Sequence, residues 1–411
     1  MKKILLCSAA VAMGFALSTP AKAAADGIKL GAGGQFNGYV VWGRQSTDTP
    51  GVNKDRTLDI LRDTEVNLTG EDTLDNGLTV GIYNEFNIDG NQGIDGVAPT
   101  SGVALENVGT VQTKESYAYF SGAWGRVNFG KEDGAAYLLQ VAAPSADSNL
   151  DGLRQLINPV NYALTNAANG NFKHDGVNLD KWYNAFGIDY SNDVTGDYNK
   201  LTYLTPVFSG FQFGVSYTPD VNNFGLDQNG LQGVHSSNGG GAAAFGSALE
   251  GSGRYEGKWQ NIDVTLGGGY THVGVEKNVA LSGLDSFKQW NFGANIGWEA
   301  FNFGAAYLKD NGGQGGVPGV DDSNKTWVAG VDYTTGPYKL GFSYLNNSMN
   351  LDSSVATADT SRYTGGLVYT YGPGMTFRGS VSYVTTGLPN VGVATSDVTA
   401  TDVLLGTQIN F

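Results

Sequence analysis

In the second half of the chain the apolar residues fall on every second position. Trp290, Phe292, Ala294, Ile296 and Trp298 share one phase, with Asn291, Gly293, Asn295 and Gly297 in the other. The same beat recurs at Phe301, Phe303, Ala305 and Tyr307, at Trp327, Ala329, Val331 and Tyr333, and at Tyr338, Leu340, Phe342 and Tyr344. A period of two sends successive side chains to opposite faces of a strand, here one apolar and one polar. The large rings stand toward the strand ends: Trp290 and Trp298 flank Ala294, and Trp327 and Tyr333 flank Ala329 and Val331. A soluble sandwich scatters its aromatics through the core. A transmembrane β-barrel instead needs aromatic girdles at two interfaces around an apolar band, with polar residues facing a water-filled interior.

The connections point the same way. Sixteen candidate strands fall near 35–44, 62–71, 78–87, 113–122, 125–131, 199–206, 211–219, 252–259, 262–273, 287–299, 301–309, 325–334, 338–346, 361–371, 374–385 and 400–411. Alternate connections are short and turn-rich, such as Asp75-Asn76-Gly77, Gln260-Asn261, Glu299-Ala300 and Thr335-Gly336-Pro337, and the others are long, polar and rich in Gly or Asp. Short turns on one side, long loops on the other and an even strand count are the topology of an outer-membrane barrel. The expected fold is all-β, an antiparallel up-and-down transmembrane barrel of about 16 strands.

Composition narrows the picture. The 411 residues include 61 Gly and 21 Tyr, only 15% are charged, and 39 acidic residues face 24 basic ones for a net charge of −15. The chain is too aromatic for a disordered acidic protein, and its charge repels phosphate, so no nucleic-acid partner is expected. Lys2 and Lys3, the apolar stretch Ile4 to Leu17 and Ala21-Lys22-Ala23 have the order of a secretory signal peptide, residues 1–23. Removing it takes away Lys2, Lys3 and Lys22 and leaves 21 basic against 39 acidic residues, −18, and no cysteine, since Cys7 lies inside it. Residues 24–411 are then the barrel.

One connection breaks the rhythm. Residues 132–198 separate the fifth and sixth strands, and the stretch from Gly134 to Leu156 has enough Ala, Leu and Tyr to pack. It either folds inward and narrows the lumen, or caps the mouth or a neighbouring subunit.

Several fragments resemble the Gram-negative general porins, most closely their alphaproteobacterial members. They are Gly70-Glu71-Asp72-Thr73-Leu74-Asp75-Asn76-Gly77-Leu78, Glu115-Ser116-Tyr117-Ala118-Tyr119-Phe120, Gly125-Arg126-Val127-Asn128-Phe129-Gly130-Lys131 and Leu201-Thr202-Tyr203-Leu204-Thr205-Pro206-Val207-Phe208-Ser209-Gly210-Phe211-Gln212-Phe213-Gly214-Val215-Ser216-Tyr217. The end of the chain, with Val403, Leu405, Thr407 and Ile409 leading to Phe411, resembles the signal read by the outer-membrane barrel assembly machinery. The resemblance implies a sixteen-stranded homotrimer in the Gram-negative outer membrane, in contact with lipopolysaccharide and outer-membrane lipid. It also implies a passive channel for small hydrophilic solutes and ions, whose third loop, 132–198, constricts the pore. In that family, acidic loop residues oppose basic residues of the wall. Here the wall offers Arg62, Lys114, Arg126, Arg362 and Arg378, and the loop offers Glu132, Asp133, Asp147 and Asp151. The chain departs from the pattern in its longer loop and in placing Glu65, Glu85 and Glu115 on strands.

Phase assigns some of these. Arg378 opposes Phe377 and Val381, Arg362 opposes Tyr363 and Leu367, and Glu65 and Glu85 oppose Val66, Leu68, Val80 and Ile82, so all four belong to the polar face. For Arg378, a structural ion pair in the wall competes with pore lining. The acid excess predicts a weak cation preference. Tyr83, Tyr117 and Tyr119 suggest an aromatic ladder, so a sugar-specific channel is one alternative, and a closed barrel acting as adhesin or receptor through its outer loops is another. His174, His235 and His272 have no metal spacing, and the chain contains no catalytic or nucleotide-binding motif, so neither an enzyme nor a cofactor is expected. Acidic outer loops such as Asp321-Asp322 could hold Ca²⁺ or another divalent cation, although solvated faces are the plainer reading.

Overall fold

The computed structural model describes residues 27–46, 57–88, 111–157, 189–196, 198–221, 245–275, 285–313, 323–351, 356–387 and 398–411. The expected signal peptide, His174, His235 and Asp321-Asp322 lie outside them.

Sixteen antiparallel strands close into one barrel. They are β1 (Lys29–Ser46), β2 (Leu58–Thr73), β3 (Thr79–Asn87), β4 (Gln112–Gly122), β5 (Gly125–Lys131), β6 (Asn199–Leu204), β7 (Phe211–Thr218) and β8 (Phe245–Trp259). There follow β9 (Ile262–Val275), β10 (Phe287–Trp298), β11 (Phe301–Asp310), β12 (Asn324–Thr335), β13 (Tyr338–Leu351), β14 (Ala356–Gly372), β15 (Met375–Gly387) and β16 (Val398–Asn410). Each strand pairs with its sequence neighbours, and β16 returns to β1. Two short helical turns, α1 (Ala135–Leu138) and α2 (Ser148–Asp151), lie in the long segment after β5. Several strands outrun their expected bounds at the loop end: β8 begins at Phe245 rather than 252, and β14 at Ala356 rather than 361. In the described loop-end part of β14, Thr360 and Ser361 are polar on both faces, so an apolar period ends before the hydrogen-bond ladder does.

The outer face is the apolar one. Trp290, Phe292, Ile296 and Trp298 stand exposed on β10, while Gln289, Asn291 and Gly293 turn inward. Rings join across strands into two girdles. Near the loop end Trp290 meets Tyr307 at 4.8 Å, and Tyr307 meets Trp327 at 4.3 Å. Near the turn end Phe301 meets Tyr333 at 4.8 Å, and Tyr338 meets Tyr369 at 5.1 Å. An apolar belt between aromatic girdles is the surface that a bilayer requires of a barrel. The turns are tight: Trp259 pairs with Ile262 and Trp298 with Phe301, leaving two-residue connections in which Gln260 and Glu299 take φ of +54°. Positive φ in a two-residue hairpin matches the right-handed strand twist. At the closure the Phe411 carbonyl accepts from the Gly34 amide at 2.8 Å, and the Gly34 carbonyl accepts from the Phe411 amide at 3.0 Å.

Candidate functional site: the lumen and its inner loop

The segment after β5 runs along the inner faces of the strands. The Ala135 amide donates to Ser216 of β7 at 2.8 Å and its carbonyl accepts from Ser252 of β8 at 2.5 Å. Asn295 of β10 donates to the Ala142 carbonyl at 2.8 Å. Tyr137 and Ala143 then pack with Ala306, Leu308, Val328 and Leu345 on β11 to β13. Glycines of the inward phase make this possible. A Cβ on Gly293 would strike Val141, one on Gly330 would strike Pro144, and one on Gly341 would strike Ala146. The loop backbone thus lies directly on the strand backbones. Gly330→Leu overpacks that contact, at a cost of about 1–3 kcal/mol. It is expected to push residues 144–146 into the lumen, seen as a smaller single-channel conductance and a lower unfolding midpoint.

The loop tip is anchored by charge. Asp147 caps α2 by accepting from the Asn149 amide, and it also receives Tyr39 Oη at 2.8 Å and Arg378 Nη1 at 2.6 Å. Arg378 bonds Gln408 as well. Asp151 takes Arg362 Nη2 at 2.6 Å and Ser343 Oγ at 2.8 Å, and Arg362 also donates to the Leu150 carbonyl at 3.0 Å. Asn149 reaches Asn37 and Tyr39 of β1. Leu150 and Ile157 join Tyr39, Val41 and Leu404 in an apolar cluster. Arg362, Arg378, Asp147 and Asp151 are therefore brought together in pairs between loop and wall.

The base of the loop has a second lock. Arg154 binds Asp133 at 2.9 Å and Asp193 at 2.6 Å, tying the outgoing limb to the returning one. Lys200 of β6 donates to the carbonyls of Glu132, Thr195 and Tyr198. Glu250 of β8 accepts from Thr195 at 2.8 Å and Thr271 at 3.2 Å. Glu132 is buried and accepts from Asn128 at 2.7 Å. Burial pushes the Glu132 carboxyl up, against hydrogen bonds from Thr202 and Asn128 and the charge of Lys200. Asp189 accepts from the Ser191 and Gln155 amides at 2.8 and 3.2 Å, and burial with the charge of Asp193 pushes its carboxyl up to about 6 from an ordinary 3.8. A carboxyl raised on folding destabilises the fold when ionised, and that cost is relieved as pH falls through about 6. Amide protection at Gln155 and Ser191 is expected to rise between pH 7 and 5, and Asp189→Asn to flatten the profile.

On the other side of the barrel, β2 to β5 present an acidic wall. Glu65 accepts from Gln35 at 2.6 Å and Glu85 from Tyr83 at 2.6 Å. Glu85 pairs in register with Glu115, and the ladder then slips so that Lys114 is an extra residue on β4. That bulge re-aims Lys114, whose charge acts on both Glu65 and Glu85. Asp133 and Arg154 of the loop act electrostatically on Glu85 and Glu115. Arg126 lies 3.9 Å over the Tyr119 ring and 5.9 Å from that of Tyr117, and it donates to Asn128 at 2.6 Å.

One expectation needs correction. Arg62 was expected on the lumen wall, but it shares its phase with Leu58, Ile60 and Leu68, which stand exposed on the outside. Its neighbours Leu61 and Asp63 turn inward, to the Tyr39 cluster and to Asn37 and Asn87. Strand alternation then sends Arg62 out. Tyr39, Asn149, Lys200 and Glu250 were missed. None has a local motif: Tyr39, Asn149 and Glu250 act through partners far away in sequence, and Lys200 joins the nearby Thr195 and Tyr198 carbonyls to that of Glu132, 68 positions away.

These features define an outer-membrane β-barrel with a loop packed inside it. The chain belongs to the Gram-negative porin family, whose sequence pattern spans residues 8–387. Among solved structures it is similar to the anion-selective porin from Comamonas acidovorans, at 16% identity and a TM-score of 0.54, covering 93% of this chain and 100% of that one. A porin refined at 1.8 Å is 17% identical with a TM-score of 0.52, at the same coverage. An uncharacterized protein of Rickettsia felis is 27% identical over 184 residues, 41% of this chain and 42% of its own, and one of Rickettsia typhi is 28% identical over 160 residues, 35% and 36%. The chain thus matches about two fifths or less of the length of these curated relatives.

Proposed function

We propose that the protein is a water-filled diffusion channel for small hydrophilic solutes and ions, with weak cation preference, in which residues 132–198 form the constriction. The observation that carries the reading is the placement of charge. The loop's Asp147 and Asp151 and the wall's Arg378 and Arg362 neutralise one another in short ion pairs. The passage is left beside Glu65, Glu85, Glu115 and Asp133, opposed by Lys114, Arg126 and Arg154. Fixed negative charge along a narrow passage raises the local concentration of cations.

A homotrimer in contact with lipopolysaccharide and outer-membrane lipid, inserted through Phe411 by the barrel assembly machinery, completes the proposal. An arginine at mid-depth on a lipid face costs about 2–4 kcal/mol, so the outward turn of Arg62 favours a protein-covered face at β2. The sugar-channel reading draws on Tyr83 and Tyr117, whose rings are 5.5 Å apart, but Arg126 already covers the Tyr119 ring.

The test is a planar bilayer holding the purified mature protein under a KCl gradient. Current steps in groups of three with a reversal potential of cation sign are expected. An anion sign sinks the selectivity, and insertion without conductance favours the closed receptor.

A further inference from the structure

Beneath α2 lies a row of buried oxygens, all but one of which the loop anchors leave unused. Strand register sets Ser343, Thr364, Ser382 and Asp402 side by side on the inner face, one on each strand from β13 to β16, with Gly43 of β1 next in line. Ser343 is engaged by Asp151. Thr364, Ser382 and Asp402 are 0% exposed and Ser380, one step along β15, is 4% exposed. Among the described residues, no hydrogen bond reaches the hydroxyls of Thr364 or Ser380, and the carboxylate of Asp402 has the neighbouring Ser382 hydroxyl as its one polar neighbour. Ser382 is the polar side chain turned toward Asp402, and no lysine or arginine of the described residues acts on it. A Cβ on Gly43 would strike Asp402 Oδ1, so the glycine leaves that carboxylate its place.

The chemistry of this row is specific. A buried ionised carboxylate with no opposite charge costs several kcal/mol. Water can satisfy its hydrogen bonds but brings no charge. The arginine of the next row, Arg362, gives its charge to Asp151. Adjacent strands lie about 4.8 Å apart, and hard cations take oxygen ligands at about 2.3–2.6 Å, so one ion can touch oxygens of two neighbouring strands. One carboxylate among neutral hydroxyls balances a single positive charge, whereas a divalent ion gathers several carboxylates.

We propose that Asp402 and Ser382, on neighbouring strands, form a buried site for a monovalent alkali cation between α2 and the barrel wall, with the hydroxyls of Thr364 and Ser380 flanking it. The ion sits under the segment that Leu150 and Asp151 pin down, so its binding strengthens the seating of the loop tip. The inference does not depend on conductance.

The test is a crystal of the mature wild-type protein soaked in a rubidium or thallium salt. An anomalous peak bordered by Asp402 and Ser382 oxygens is expected. In solution, the unfolding midpoint is expected to be higher in sodium or rubidium chloride than in N-methylglucamine chloride of equal ionic strength. Asp402→Asn is expected to abolish both effects. Ordinary water density without an anomalous signal overturns the proposal. So does an infrared carbonyl band of a protonated carboxylic acid at neutral pH that vanishes in Asp402→Asn, since the carboxyl is then neutral and needs no cation. The wild-type soak and spectrum decide the matter even where the variant fails to fold.

Discussion

Replacing Asp151 by alanine is expected to release the tip of the inner loop while leaving the barrel intact. The Asp151 and Arg362 side chains are 2% and 1% exposed and 2.6 Å apart. Removing one partner of a buried pair strands the other charge, which typically costs about 3–5 kcal/mol. The strand ladders do not depend on Asp151, so the loss falls on the seating of residues 147–157. Faster amide exchange at Leu150 and Gly152 and noisier single-channel current should report it. The double replacement Asp151→Leu with Arg362→Met removes both charges, and a buried pair exchanged for apolar groups of similar volume is often neutral. Recovery of quiet current in the double variant is the expected result. An Asp151→Ala protein with wild-type exchange and noise would mean that Asp147 and the apolar cluster around Leu150 hold the tip without it.

The second large effect concerns selectivity. Glu65→Gln, Glu85→Gln and Glu115→Gln together remove three carboxylates from the β2–β4 face without changing side-chain shape. The reversal potential in a KCl gradient is expected to move toward zero, with the cation-to-anion permeability ratio falling at least roughly twofold because fixed charge sets local ion concentration. The double replacement Asp147→Asn with Arg378→Gln should leave the potential unchanged, because the two charges cancel as a pair. If that double replacement shifts the potential and the triple variant does not, the permeation path runs on the opposite side of the barrel.

Much of the barrel was legible because a bilayer imposes one rule on every strand. Over Gln289–Trp298 of β10, and over Trp327–Tyr333 of β12 apart from the inward Val328, the sequence alternation and the structural alternation coincide. The same rule held the correct answer for Arg62, whose phase with Leu58, Ile60 and Leu68 outweighs its charge type. The Lys114 bulge left no periodic trace, because it offsets β3 against β4 by one residue within a polar stretch. The loop contacts were opaque for another reason. Asp147 and Arg378 are 231 positions apart, and no local pattern pairs them. A trace of the loop's path did exist, in Gly293, Gly330 and Gly341. Each is an inward position without a side chain, and only the folded loop shows what fills the gap.

The joining of Gly34 to Phe411 bears on how the molecule comes into being. Every other strand pair is formed between neighbours in sequence, but the β1–β16 seam joins residues at opposite ends of the chain, such as Gln35 and Asn410. Contacts of such high sequence separation form slowly, since their entropic cost precedes their reward. Until that seam closes, both end strands present open hydrogen-bonding edges, and lipid cannot satisfy them. The nascent polypeptide must therefore cross the periplasm unsealed, as a client of whatever shields strand edges, until the pairing of Gly34 with Phe411 completes the ring.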